Sequence, residues 1–333
     1  MLEKNTDINA LKTADGKDSD KKQVFIIGSR RSGTTWTLWL LSNHPSMVGL
    51  QHTNLIDAFK KLNDWWLDEE RIHNSIVSGK DEKIKANLKD FIEEKSFYSS
   101  CRQLLDMIFQ QAFNEKKQAS VVVESQPENV ENLDLLMKLF PDAYYLHVIR
   151  DPRSVFGSWK SIATTWSSSD IFNTHPADFS DRWRSDISMG RSFSDKADHY
   201  MEIKYEDLKS DGVTALKRVY KWIGVDASTD IAQQALDACE MKKLRKKGNM
   251  PKGFFRKGSS EGWKSDLSAA DVQAVEYLLK DIMDDFSYKR VNTGELSKPV
   301  ALKLHSIKKQ IKGWLRNTWV FALLRKFKKR LIG

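Results

Sequence analysis

A chain of 333 residues, 40% of them hydrophobic, can bury a sizeable core as one large or two modest domains. Its two cysteines, Cys101 and Cys239, come with no spaced Cys/His set, which argues against a zinc site or disulfide framework and points to a reducing compartment. The formal charge of +9 is concentrated: residues 303–333 hold ten Lys or Arg and no acid, so the rest of the chain is close to neutral.

Residues 1–22 are polar and carry both acids and bases. They lack the apolar stretch of a signal peptide or membrane span and read as a flexible leader. Gln23-Val-Phe-Ile-Ile-Gly28 is a continuous apolar run ending in glycine, the pattern of a buried parallel strand. A helix is predicted to open near Gly33 and to run to about Ser42, where Asn43-His-Pro45 stops it. Residues 55–118 read as mostly helical. Ser120-Val-Val-Val-Glu124 gives a second strand, Val130 to Phe140 a helix, and Tyr144 to Ile149 a third strand. Pro152 suits the first turn of the next helix, where its missing N–H costs nothing. His199 to Lys204 gives a fourth strand, and helices are predicted over about 212–223, 228–238 and 269–284. This rhythm predicts an α/β three-layer sandwich with a central parallel sheet. One catalytic domain is expected over 23–298, followed by a basic amphipathic helix over 299–333.

Gly28-Ser-Arg-Arg-Ser-Gly-Thr-Thr35 joins the first strand to its helix. It has the spacing of the phosphate-loop pattern Gly-x4-Gly-Lys-Ser/Thr, with Thr34 where the lysine belongs. The glycines let backbone wrap an anion, and a helix N-terminus offers free N–H groups and partial positive charge. Nucleoside-triphosphate enzymes need that lysine on the β and γ phosphates. Here the cation, Arg31, lies three positions earlier.

Arg31-Ser-Gly-Thr-Thr-Trp36 resembles the 5′-phosphosulfate loop of sulfotransferases that use 3′-phosphoadenosine-5′-phosphosulfate (PAPS), in the style of the bacterial and tyrosylprotein types. The resemblance implies a P-loop-like sulfotransferase fold, with Arg31, Ser32, Gly33, Thr34 and Thr35 holding the 5′-phosphate and Trp36 stacking on adenine. Tyr144 to Ser158 is similar to the family's 3′-phosphate motif, a strand ending in Arg150-Asp-Pro with Ser158 eight residues after the arginine. Arg150 would leave the carboxyl end of its strand, where ligands of open α/β sheets collect, and arginine suits bidentate phosphate binding. Arg153 reads as a solvated charge. Phe254 to Lys264 resembles the third motif and implies that Arg256, Lys257 and the Gly258 N–H close over the 3′-phosphate. Tyr205-Glu-Asp-Leu208 matches a segment whose tyrosine touches adenine.

The implied reaction is in-line transfer of a sulfuryl group from PAPS to an acceptor hydroxyl, with no metal demanded. His52, 21 residues after Arg31, is the candidate base, since tyrosylprotein sulfotransferases carry the catalytic glutamate at that offset. Relatives carry a lysine after the second strand where this chain has Ser125, so Arg31 alone, or Glu124 or Glu128, would have to share the catalytic load. His44 reads as structural. The tail repeats apolar residues (Ile307, Ile311, Trp314, Leu315) at helical spacing against Lys308, Lys309, Lys312 and Arg316. It reads as a helix on an anionic membrane surface, which makes the expected location cytoplasmic and peripheral to the membrane. No nucleic-acid module is present in the pattern. The alternatives are a non-catalytic nucleotide- or membrane-binding protein with this fold, and a phosphoryl-transferring loop enzyme.

Overall fold

The computed structural model describes residues 21–51, 53–67, 91–163, 174–240 and 261–291. Leader residues 1–20, His52, the segment Arg256–Gly258 and the basic tail lie outside the described residues, and the last leader residue, Lys22, opens the first strand.

Among the described residues five parallel strands form one sheet in the order β2-β3-β1-β4-β5. They are β1 (Lys22–Ile27), β2 (Met47–Gln51), β3 (Val121–Ser125), β4 (Tyr144–Ile149) and β5 (His199–Lys204). The three central strands are the continuous apolar runs of the sequence; β3 and β4 are buried along their whole length. Four strands were expected. The fifth, β2, is an edge strand whose residues beyond Met47 are only partly buried, so it shows no apolar run.

The helices are α1 (Thr34–Ser42), α2 (Leu55–Leu67), α3 (Glu94–Glu115), α4 (Leu133–Leu139), α5 (Pro152–Ala163), α6 (Pro176–Arg191), α7 (Tyr205–Ser210), α8 (Gly212–Ile223) and α9 (Thr229–Ala238). Further helices follow at Trp263–Asp266, Ala269–Leu278 and Lys280–Asp285. Because side chains alternate along a strand, each face of the sheet has its own core. Val24, Ile26, Val123, Leu146 and Val148 pack with Leu38, Leu41, Leu216 and Val219 of α1 and α8. Phe25, Ile27, Val122 and Tyr145 pack with Leu105, Phe109 and Leu136 of α3 and α4 on the opposite face. Each such buried side chain contributes roughly 1.5–3 kcal/mol. A third cluster joins α5 and α6 to the helices Ala269–Leu278 and Lys280–Asp285.

The corner between α1 and β2 is tied by buried polar groups. The Lys116 ammonium donates to the carbonyls of Ser42, His44 and Met47 at 3.0, 2.8 and 2.6 Å. His44 is fully buried; its Nδ1 accepts the Ser46 N–H at 3.0 Å, its Nε2 lies 2.8 Å from the Asp226 carbonyl, and burial lowers its pKa.

The connection from β1 through α1 to β2 passes over β3, whereas the one from β3 through α4 to β4 passes over β1. The chain therefore leaves β1 and β3 in opposite directions, which opens a crevice above their carboxyl ends.

Candidate active site

The loop after β1 stands at the mouth of this crevice. Gly28 has φ +148°, and a Cβ there would lie 2.6 Å from the Val148 carbonyl oxygen of β4. Arg31 takes φ 74°, a left-handed conformation uncommon for a residue with a side chain. Gly33, at φ +102°, precedes the first residue of α1 and leaves no room for a side chain: its Cβ would meet the Tyr205 ring at 2.4 Å. Helix α1 has neither a side-chain cap nor an acid in its first turn, so its N-terminal N–H groups and dipole are left to a ligand.

Two distant segments, 150–159 and 205–209, close around this turn. Arg31 Nε donates to Ser158 Oγ at 3.1 Å, and Arg150 Nη1 donates to the Arg31 carbonyl at 3.1 Å. The Arg150 guanidinium lies 4.3 Å from the centre of the Tyr205 ring, which meets Trp36 edge-on at 5.4 Å. Trp36 is built into the core beside α1: its indole N–H donates to the Cys239 carbonyl at 3.1 Å, and Lys209 Nζ sits 4.4 Å over its ring. Trp159 secures the loop from behind through a 3.0 Å bond to the Arg30 carbonyl. The structure thus brings together Arg31, Ser32, Gly33, Thr34, Thr35, Trp36, Arg150, Ser158 and Tyr205.

Burial and the neighbouring Arg150 charge lower the Lys209 pKa, while burial raises that of Tyr205 against the pull of Arg150. Two buried polar atoms in the cradle, Ser32 Oγ and Arg150 Nε, have no hydrogen-bond partner among the described residues. Buried donors left open beside a cationic helix N-terminus fit a multiply charged anion with several acceptor oxygens.

Arg153 departs from the sequence expectation. It is 3% exposed and forms a fork on Asp151, with Nε to Oδ1 at 3.0 Å and Nη2 to Oδ2 at 2.7 Å. Its Nη1 reaches Glu276 at 2.6 Å, and its guanidinium covers Trp263 at 3.9 Å. It is a buried tie between α5 and the later helices. Beneath it, Glu206 accepts the Asp151 N–H at 3.1 Å and the Tyr288 hydroxyl at 3.0 Å, and burial raises its pKa.

The stretch Glu124–Asn129, which the sequence offered as a rival source of catalytic groups, forms a polar cluster at the end of β3 whose partners Thr53 and Asn54 the sequence did not announce. Glu124, 2% exposed, accepts from Thr53 Oγ1 at 3.2 Å and from Asn129 Nδ2 at 2.6 Å. Gln126 Oε1 accepts the Asn54 N–H at 3.0 Å. These contacts fix the segment that follows β2. A polar Glu-Ser-Gln directly after three valines was the available signal. Among the described residues no group of three or more His, Cys, Asp or Glu is placed to hold a metal ion.

Comparison with known proteins agrees with this geometry. The chain is 28% identical over 106 residues to mouse Carbohydrate sulfotransferase 2, covering 32% of this chain and 20% of that protein. It is 24% identical over 192 residues to Protein-tyrosine sulfotransferase 1 of Danio rerio, covering 57% and 50%. The chain thus spans between a fifth and half of the length of these relatives. Among solved structures, mouse sulfotransferase SULT7A1 complexed with PAP superposes with a TM-score of 0.50 at 14% identity, over 80% of this chain and 88% of that one. The sulfotransferase domain from the Synechococcus PCC 7002 olefin synthase gives 0.52 at 17%, over 81% and 96%. Both likenesses establish the fold. Residues 23–230 match the sequence model described as the sulfotransferase family, and the chain belongs to that family.

Proposed function

We propose that this chain transfers a sulfuryl group from PAPS to an acceptor hydroxyl by in-line displacement. The observation that carries the reading is the junction of Arg31, Ser158 and Arg150 at the uncapped start of α1, with open donors on Ser32 and Arg150. A nucleotide phosphorylated at both ends needs two cationic anchors close together, and arginine offers the fixed fork that phosphate oxygens accept. Arg31 and the loop N–H groups hold the 5′ side; Arg150 and Ser158 hold the 3′-phosphate. Tyr205 and Trp36 form the aromatic wall for adenine. PAPS supplies the activated sulfuryl group, and the chain's own residues orient it and take up charge.

The acceptor hydroxyl must lose a proton as its oxygen reaches sulfur. We assign that role to His52, whose ordinary pKa suits a base near neutral pH. Thr53 and Asn54, just beyond it, are held by Glu124 and Gln126. Arg256, Lys257 and Gly258 complete the reading as a second grip on the 3′-phosphate; Trp263 beyond them is buried beneath Arg153. The matched relatives are named for carbohydrate and protein-tyrosine acceptors, both hydroxyls, and a glycan, tyrosine or lipid hydroxyl is the proposed class here.

Calorimetric titration with 3′,5′-adenosine bisphosphate (PAP) and with ATP tests the donor. PAP is expected to bind far more tightly, and Arg31→Ala to weaken it by about tenfold or more, equivalent to ~1.4 kcal/mol. Preference for ATP would overturn the reading. The proposed location is cytoplasmic, with residues 303–333 resting on an anionic membrane face. Co-sedimentation with phosphatidylserine vesicles should be stronger for the full chain than for one ending at Pro299; equal sedimentation at physiological salt removes this part.

A further inference from the structure

We propose that Gln126 is a further catalytic residue, its side-chain amide donating hydrogen bonds to the oxygens of the sulfuryl group in flight. The inference rests on the donor assignment above and adds the group that stabilises the charge during transfer. Gln126 is the first residue beyond β3, in extended backbone at φ −137° and ψ 136°. The parallel registers Ile26↔Ser125 and Gln51↔Ser125 set the end of β3 level with the ends of both β1 and β2. Gln126 therefore stands between the start of the anion loop and the segment Thr53–Asn54. Since side chains alternate, it shares its face of the sheet with Glu124.

Its orientation is chemically determined. The Asn54 N–H is a donor at 3.0 Å and can only meet the carbonyl oxygen of the side chain, so the NH₂ group must point the other way. That NH₂ is buried in a residue only 1% exposed and has no acceptor among the described residues. A buried donor without a partner is costly, and folded chains retain one where a ligand supplies the partner. An acceptor for it would lie at the β3 end, beside the loop assigned above to phosphosulfate. A sulfuryl group presents three oxygens and nothing to donate, which suits an open amide donor. The rival is structural: among the described residues Asn129 Oδ1 is also buried without a partner, and pairing of the two amides would satisfy both.

In the step itself the acceptor oxygen forms a bond to sulfur while the bond from sulfur to the bridging oxygen breaks. The bonding pair leaves on the 5′-phosphate of PAP, and the hydroxyl proton passes to the base. Gln126 gains and loses no proton; it accompanies negative charge as this redistributes over the sulfuryl oxygens. Because PAP lacks the sulfuryl group, its binding does not use this donor.

Two variants of the full chain separate the readings. Gln126→Glu keeps the volume and the acceptor for Asn54 but removes the donor; Gln126→Met removes the donor without adding charge. The readouts are sulfate transfer from ³⁵S-labelled PAPS into a host extract, PAP affinity by calorimetry, and melting temperature. Turnover is expected to fall about 10²-fold in both variants, the loss typical for one oxyanion donor. PAP affinity should stay within about twofold. Near wild-type turnover in either variant overturns the proposal. So does a loss of turnover that only tracks losses of PAP affinity and melting temperature, the signature of the amide pairing. Wild-type protein that binds no PAP would instead remove the donor assignment and this inference with it.

Discussion

Arg153 holds its charge in a site almost without water, between Asp151 and Glu276 and over the face of Trp263. Its own pKa is raised: burial works against the charge, and the bonds to Asp151 and Glu276 outweigh it. Removing one partner of a buried pair leaves the other charges desolvated, which typically costs 3–5 kcal/mol. Arg153→Met should lower the unfolding free energy from urea titration by about that amount; a loss below ~1 kcal/mol would mean that water reaches the carboxylates. The sequence placed Arg153 in solvent because a lone arginine near a helix start usually points outward. Nothing local announces Glu276, 123 positions away. The cradle residues were legible for the opposite reason: Arg31, Gly33, Arg150 and Ser158 sit at fixed offsets from strand ends. Gln126 was not, since its open amide follows from an Asn54 contact that only the folded chain makes.

Among the elements, those with an unbroken apolar run or a strong stop signal were read closely, as with β1, β3, β4 and helix α8, which spans Gly212–Ile223 as expected. Edge strand β2 was missed because Met47-Val-Gly-Leu-Gln51 mixes a glycine and a polar end and needs burial on one side only. Helix α6 was missed too. Its mean hydropathy is low, and Phe179, Trp183 and Ile187 supply a narrow buried stripe among charges. The stretch 269–284, read as one helix, breaks at Leu279, whose φ of −114° leaves the helical range. The turn between β1 and α1 was legible as a turn, but its tightness came from Tyr205. In Gly33→Ala a methyl group would have to occupy a left-handed backbone and 2.4 Å of space against that ring. PAP binding should weaken by about tenfold or more, ~1.4 kcal/mol, with β1 and α1 otherwise folded. Unchanged affinity by calorimetry would mean that Tyr205 is free to step aside.

For the whole molecule, acid sensitivity is expected from the far side of the sheet. His147 lies inside β4 with Nδ1 2.7 Å from the Tyr200 hydroxyl, and its ring leaves room only for a glycine at position 190. Glu202 of β5 and Arg191 of α6 face it, and these two pair at 2.8 Å. Burial pushes its pKa down to about 4 against the pull of Glu202. The unfolded chain, with an ordinary histidine near 6.5, therefore takes up a proton first as pH falls. The stability that His147 permits is complete above about pH 6.5 and declines toward pH 4, by on the order of 3 kcal/mol. Melting temperature against pH should be flatter across that window in His147→Asn than in the wild type; parallel curves would exclude His147 as the source.

The cradle draws on residues 28–36, 150–158 and 205–209, stretches that meet only once β1, β4 and β5 are side by side. An unfolded chain has no equivalent place for the nucleotide. Under the proposed function, the cell's donor pool would then act as a conformational chaperone: at a hundred times its dissociation constant it would add about 2.7 kcal/mol to the native state. Scarcity of activated sulfate would expose the same chain to proteolysis, coupling its lifetime to the supply of its own substrate.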